Sequence, residues 1–161
     1  MHRRALLTAF LAGAGLAGCG FQLRQSPKLS FRSIALVGFA TRSPLADELR
    51  RELAAQVRVV DAPAQAEVVL RATEDARDRT VVASTAAAQV RELHLRLRLH
   101  VHAATPAGRE LMATAELVQE RDLSYIETQA LAKEAEEAEL WRDMQSDLVA
   151  QVMRRLAAIR V

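Results

Sequence analysis

The sequence predicts an α+β fold: a two-layer sandwich of two α-helices packed on one face of a four-stranded sheet, in the order β-α-β-β-β-α. Three observations predict it. Leu93, Leu95, Leu97, Leu99, Val101 and Ala103 alternate strictly with His94, Arg96, Arg98, His100 and His102, the period of a strand with one dry face. Leu131, Ala135, Ala138, Trp141, Met144, Leu148, Val152, Leu156 and Ile159 recur every three or four residues, the period of a long amphipathic helix. Leu45, Leu49, Leu53 and Val57 repeat every four residues and make a second, shorter stripe. The simplest way to bury both stripes is to lay both helices against the leucine face of the sheet.

The elements follow in order. Ile34 to Phe39 is a short apolar run with a β-branched start, predicted as a buried strand. Ser43-Pro44 reads as a helix cap with proline at the first helical position, and Asp47 and Glu48 sit near the positive end of that helix dipole. Asp61-Ala62-Pro63 breaks the pattern. Glu67 to about Val82 is predicted extended, with Val68, Leu70 and Ala72 on one side. Ser84 to Gln89 is small and featureless, a predicted turn or mobile loop before the long alternating strand. Thr105-Pro106-Ala107-Gly108 is a turn, and Arg109 to Asp122 supplies the return strand. The last helix runs from about Gln129 to Ile159, with Glu134, Glu136, Glu137 and Glu139 toward its start and Arg154, Arg155 and Arg160 toward its end, each matched to the dipole. No internal repeat is present.

Before these elements lies a leader. His2, Arg3 and Arg4 make a basic start, Ala5 to Leu16 is apolar but too short to span a bilayer, and Leu16-Ala17-Gly18-Cys19 closes it. Small residues before a cysteine lie extended in a peptidase groove, and the thiol can take a diacylglycerol. Cys19 is also the only cysteine, so an exported chain has no disulfide use for it. The expectation is a lipoprotein signal peptide over 1–18, cleavage before a lipidated Cys19, a tether over 19–32 and a single domain over 33–161; an ordinary signal peptide is the bland alternative. Gly20 rather than aspartate follows the cysteine, which by resemblance to sorted lipoproteins of Gram-negative bacteria favours the outer membrane over the inner one.

Charge excludes some function classes. Removing Arg3 and Arg4 with the leader takes the 22 Lys+Arg to 20, level with the 20 Asp+Glu, so nucleic-acid binding loses its main support. What charge remains is uneven: Arg71, Arg77, Arg79, Arg91, Arg96, Arg98 and Arg109 make the middle mildly basic, and acids dominate from Glu110 to Asp147. Chemistry finds no footing. His100 and His102 share a strand face with His94, but no Cys, Asp or Glu on that strand completes a tetrahedral metal site. Neither Ser84 nor Ser124 sits in a Gly-x-Ser-x-Gly elbow, Glu136-Glu137 reads as a solvated pair, and no Gly-rich loop offers to hold a phosphate cofactor. The expectation is no enzyme, no metal and no cofactor. The arginines of the alternating strand can grip phosphates bidentately. They can equally be a solvated face.

Three stretches then coincide with one family. Gly18-Cys19-Gly20-Phe21-Gln22-Leu23-Arg24 looks like its lipobox followed by Gly, an aromatic and Leu-Arg; Gln129-Ala130-Leu131-Ala132-Lys133-Glu134 is similar to the segment opening its last helix; and Leu140 to Leu156, with Met144, Gln151 and Arg154-Arg155-Leu156, resembles the rest of that helix. With the same element order over the mature chain, the sequence resembles the LPS-assembly lipoprotein family LptE, also called rare lipoprotein B. The resemblance implies partners: the large outer-membrane barrel LptD, which such proteins plug and help to assemble, and lipopolysaccharide on its way to the outer leaflet. It implies a lipid anchor in the outer membrane and a place within the barrel lumen. It also carries the family's lipopolysaccharide-contacting lysine onto Lys133. Ser84-Thr85-Ala86-Ala87-Ala88 departs from relatives that have a basic or aromatic residue in that loop, leaving Arg91, Arg96 or Arg98 as substitutes. The alternative is an adaptor of another envelope complex without lipopolysaccharide binding, and an enzyme is a distant third.

Overall fold

β1 (Ser33–Val37) is dry on both sides, as a central strand must be. Ile34 faces the main core, while Ala35 packs on the opposite side with Ala66 and Val69. The structure, a computed structural model, describes residues 28–84, 90–125 and 129–161, and of residues 83, 84, 90 and 91 the backbone only. Cys19, its leader, most of the expected tether and the expected turn after Ser84 lie outside the described residues. The last residues of that tether already belong to the domain. Phe31 is buried in the core, and Ser30 Oγ donates to the Ile159 carbonyl oxygen at 2.7 Å.

β1 stops at Val37, two residues before the predicted end at Phe39, because the backbone turns at Gly38 to a φ of 78°. A Cβ at Gly38 would overlap the Ala72 carbonyl oxygen of the neighbouring strand. α1 (Pro44–Ala54) begins as its sequence requires, the Ser43 hydroxyl accepting from the Ala46 N–H at 3.1 Å with proline in the first turn. Leu45, Leu49 and Leu53 are buried. After β2 (Arg58–Val60), a 3-10 turn over Pro63–Gln65 leads into β3 (Val68–Ser84), β4 (Val90–Ala104) and β5 (Glu110–Ser124), and α2 (Ala130–Ala157) closes the chain.

The sheet has five strands, not the expected four, in the order β2-β1-β3-β4-β5. The added strand is β2, which pairs parallel to β1 in the register Ser33↔Arg58, Ile34↔Val59, Ala35↔Val60. Three residues show no readable alternation, and only the pairing with a distant segment makes them a strand. β1 is also parallel to β3, whereas β3, β4 and β5 form an antiparallel meander. Both helices cover one face. Leu95, Leu97 and Leu99 of the sheet share a single core with Leu49 and Leu53 of α1 and Trp141, Met144, Leu148, Val152 and Leu156 of α2.

One part of the long stripe does not pack. Leu131 is 83% exposed, and Ala135 and Ala138 are exposed too. They stand in line, at three- and four-residue spacing, with Gln145 and Val149. Further along, α2 meets α1 on that side: Gln145 and Ser146 both donate to the Glu48 carboxylate, Ser146 at 2.7 Å. α1 has 11 residues against the 28 of α2, about 16 Å against about 42 Å, so it covers only the later turns.

Candidate functional site

Two places collect the expected contact residues, and the sheet separates them. The first is the face of the meander turned away from the helices. Because Leu93, Leu95, Leu97 and Leu99 point into the core, His94, Arg96, Arg98 and His100 point out. Register then fixes their neighbours. His100 lies between Glu74 and Glu116, Arg98 between Ala76 and Val118, Arg96 between Asp78 and Glu120, and His94 between Thr80 and Asp122. A basic central strand is thus flanked by acidic ones.

The basic side chains of this face are engaged. Arg98 reaches Glu74 at 2.7 Å and Asp78 at 3.0 Å, both on β3. Arg96 sits 3.0 Å from Glu120 on β5. His94 Nδ1 is 2.7 Å from Asp122, and His100 Nδ1 is 3.3 Å from Glu74 with its Nε2 3.6 Å from Glu116. The Nε atoms of Arg96 and Arg98 and Nε2 of His100 are nonetheless buried without a well-aligned hydrogen-bond partner. The hydrogen bond to Asp78, followed by the charge of Glu74, pushes the Arg98 guanidinium above the ordinary arginine range. Summed over the face, Glu74, Asp78, Glu116, Glu120 and Asp122 outnumber Arg96 and Arg98. The neighbouring strands do bring the carboxylates that the alternating strand lacks, yet no group of three or more possible metal ligands forms among the described residues. An incoming phosphate would have to displace carboxylates already bound to both arginines.

The second place is the end of the molecule where α2 starts. Glu137 ties α2 to β3, its carboxylate accepting from Arg79 Nε at 3.1 and 3.2 Å and from Trp141 Nε1 at 3.2 Å. Arg77 lies 4.0 Å over the Trp141 ring, and burial pushes its guanidinium below the ordinary value against the raising pull of Glu137. Both arginine shifts act at strong alkalinity, so both groups stay charged near neutral pH. One turn before Glu137, on the same inward line, stands Lys133. Its side chain is only 15% exposed, and its ammonium meets Glu136 at 2.8 Å. A lysine in this position lays its stem along the protein and presents its charge at the rim. Three large apolar side chains are exposed at this end: Val81 at 46%, Val82 at 52% and Leu131 at 83%. Arg91 belongs to the start of β4 at this same end; its side chain lies outside the described residues, as does Cys19.

Lys133 and the Arg96/Arg98 pair are therefore not one site, since α2 covers the opposite face of the sheet from those arginines. The acidic partners and the Arg77–Trp141–Glu137–Arg79 cluster were not read from the sequence. The Thr105–Gly108 turn was a usable signal for the first, because the hairpin register it sets brings Glu116, Glu120 and Asp122 beside the basic strand. Hollows also lie among the described residues. One of about 620 Å³ at the other end of the outward face is lined by Arg71, His102, Thr105 and Glu110 among others; a smaller one of about 310 Å³ lies between β5 and the end of α2, at Leu111, Met112 and Ile159. No helix among the described residues is long and apolar enough to cross a membrane.

Comparison with known proteins fits this architecture. The family model described as "LptE: Lipopolysaccharide-assembly" matches residues 31–156. The solution structure of an uncharacterized lipoprotein B from Nitrosomonas europaea is 27% identical, superposes with a TM-score of 0.71, and covers 86% of this chain and 91% of its own. A minor lipoprotein from Acinetobacter baumannii, at 22% identity and a TM-score of 0.63, covers 81% and 93%. Rare lipoprotein B from Shewanella oneidensis, at 23% and 0.61, covers 79% and 95%; these two show the fold alone. A search of curated protein sequences finds no match. The family match spans almost the whole described domain, from the buried Phe31 to the buried Leu156, and on it this chain belongs to the LptE family of lipopolysaccharide-assembly proteins.

Proposed function

We propose that the protein is an outer-membrane lipoprotein, anchored through acyl chains on Cys19, that plugs and helps to assemble the LptD barrel and binds lipopolysaccharide on its way to the outer leaflet. The family match carries this reading. It faces the periplasm and lies within the barrel lumen. The lipopolysaccharide contact lies at the end of the molecule where α2 starts, with Lys133 as its cation and Arg91, at the start of β4, as a further candidate. Two features support that assignment. Exposed Val81, Val82 and Leu131 offer acyl chains apolar contacts at this end, and the Lys133 ammonium has an exposed carboxylate partner to exchange for a phosphate. Arg96 and Arg98 are weaker contacts, each held by carboxylates.

The test has two arms. Affinity purification of the full chain from detergent-solubilised outer membrane should recover a large barrel protein, and its absence would defeat the plug reading. Purified lipopolysaccharide should bind the folded protein about tenfold more weakly after Lys133→Glu, the loss of one charge-assisted contact, while Arg96→Gln/Arg98→Gln leaves affinity nearly unchanged. The opposite ranking would move the contact to the outward sheet face. A second reading, an adaptor of another envelope complex without lipopolysaccharide binding, is favoured by the acid excess on that face. Unchanged lipopolysaccharide affinity in both variants, with no barrel recovered, would support it.

A further inference from the structure

We propose that the outer edge of β5 is a docking site for an extended, basic polypeptide segment, which adds to the sheet as a further strand. The inference does not depend on the barrel reading. The sheet has two edges, and they differ. β2 is three residues long and too short to template a partner. β5 runs from Glu110 to Ser124 and among the described residues pairs on one side only, with β4. Its first part is interrupted: Val101↔Ala115 is followed by Ala103↔Met112, so β5 bulges at Ala113–Thr114. From Ala115 to Ser124 the register with β4 is unbroken, and that stretch holds no proline, glycine or lysine to blunt it; its one cation, Arg121, stands on the helix side, 3.9 Å from Asp147. About half of its backbone N–H and C=O groups point away from β4, open to a partner strand.

The charge on this edge selects the partner. Glu116, Glu120 and Asp122 stand on the outward face of β5, with side chains 65%, 46% and 61% exposed. The face as a whole carries more carboxylates than guanidiniums, so β4 does not neutralise them. A second copy of this chain added edge to edge would set the same carboxylates opposite or diagonal to one another, which is repulsive. A segment with Lys or Arg at every second position places cations beside Glu116, Glu120 and Asp122. Its intervening residues then lie on the other side, where Gln119 and Arg121 stand between the buried Leu117 and Leu123, and uncharged ones suit that surface.

The experiment uses the full chain and three synthetic eight-residue peptides: one alternating lysine and valine, one alternating glutamate and valine, and the first N-methylated at every second residue to remove one edge of donors. The lysine peptide should bind and slow amide exchange at alternate residues of Ala115–Ser124. The glutamate peptide should not bind. The double variant Glu116→Gln/Asp122→Gln should weaken the lysine peptide by about tenfold, the sum of two exposed cross-strand pairs. Equal binding of the N-methylated peptide would overturn strand addition, because charge alone would then explain the affinity. Protection elsewhere in the chain would also overturn it, as would a dimer of the free protein that pairs through β5.

Discussion

Replacing Gly38 and Gly108 by alanine, one at a time, separates two costs that usually arrive together. Both glycines have positive φ, 78° and 89°. Alanine in that region costs about 1–2 kcal/mol, partly offset because alanine also restricts the unfolded chain. At Gly108, in the hairpin turn, nothing lies within 4 Å of the added methyl, so the backbone term stands alone at about 1 kcal/mol. At Gly38 the methyl overlaps the Ala72 carbonyl oxygen, which belongs to the backbone of β3 and cannot rotate aside. Relief requires moving β1 against β3, where Val37 pairs with Arg71, or shifting the loop whose Ala40 N–H donates to Asp75 at 3.1 Å and which leads to the Ser43 cap. Together these make Gly38→Ala cost about 3 kcal/mol or more, a large share of a single domain's stability.

Thermal unfolding followed by the fluorescence of Trp141, the only tryptophan and buried in the core, reads both variants. The midpoint in temperature should fall by roughly 3–5 °C for Gly108→Ala and by roughly 10–15 °C for Gly38→Ala. Equal losses would refute the reasoning, since they would mean that β1 and β3 slide freely enough to absorb a methyl group.

Two further substitutions test the helix layer. Glu137→Gln keeps an acceptor for the Trp141 indole but removes the charge from half-exposed Arg79, and should cost about 1 kcal/mol; Glu137→Leu also strands the indole N–H and should cost about 2 kcal/mol, both read by urea unfolding. Leu131→Gln should leave stability within about 0.5 kcal/mol, because the side chain touches solvent, whereas Met144→Ala should lose about 2–4 kcal/mol from a fully buried site. Similar losses for these two would put Leu131 back in the packed stripe.

The elements with many repeats were legible, and those fixed by a partner were not. Leu93 to Ala103 states its own alternation over enough residues to name a strand and its dry face, and Trp141 to Ile159 does the same for a helix. Arg58–Val60 has no such length and exists as a strand only because β1 lies beside it. Leu131, Ala135 and Ala138 fit the helical period as well as Leu148 does; what leaves them in water is the length of α1, a different segment. The candidate site shows the same limit. Arg96 and Arg98 were readable as exposed cations, but whether a cation is free depends on residues brought in by neighbouring strands, here Glu74, Asp78 and Glu120.

That dependence decides how the two ends of the charge pattern can act. A guanidinium between carboxylates on a half-exposed sheet face contributes to the pairing of β3, β4 and β5, and an anion binding there must first break ion pairs that hold the meander together. A lysine in the first turn of α2 has no such duty. Its stem is covered, its partner Glu136 is half exposed on the same helix, and exchanging that partner for a phosphate disturbs no strand. The same alternation that first suggested a phosphate grip on β4 therefore works against one, because each outward arginine brings its own acid from the next strand. What the acid excess leaves open is the other side of the balance: an edge whose outward side carries Glu116, Glu120 and Asp122 and can accept cations from a partner.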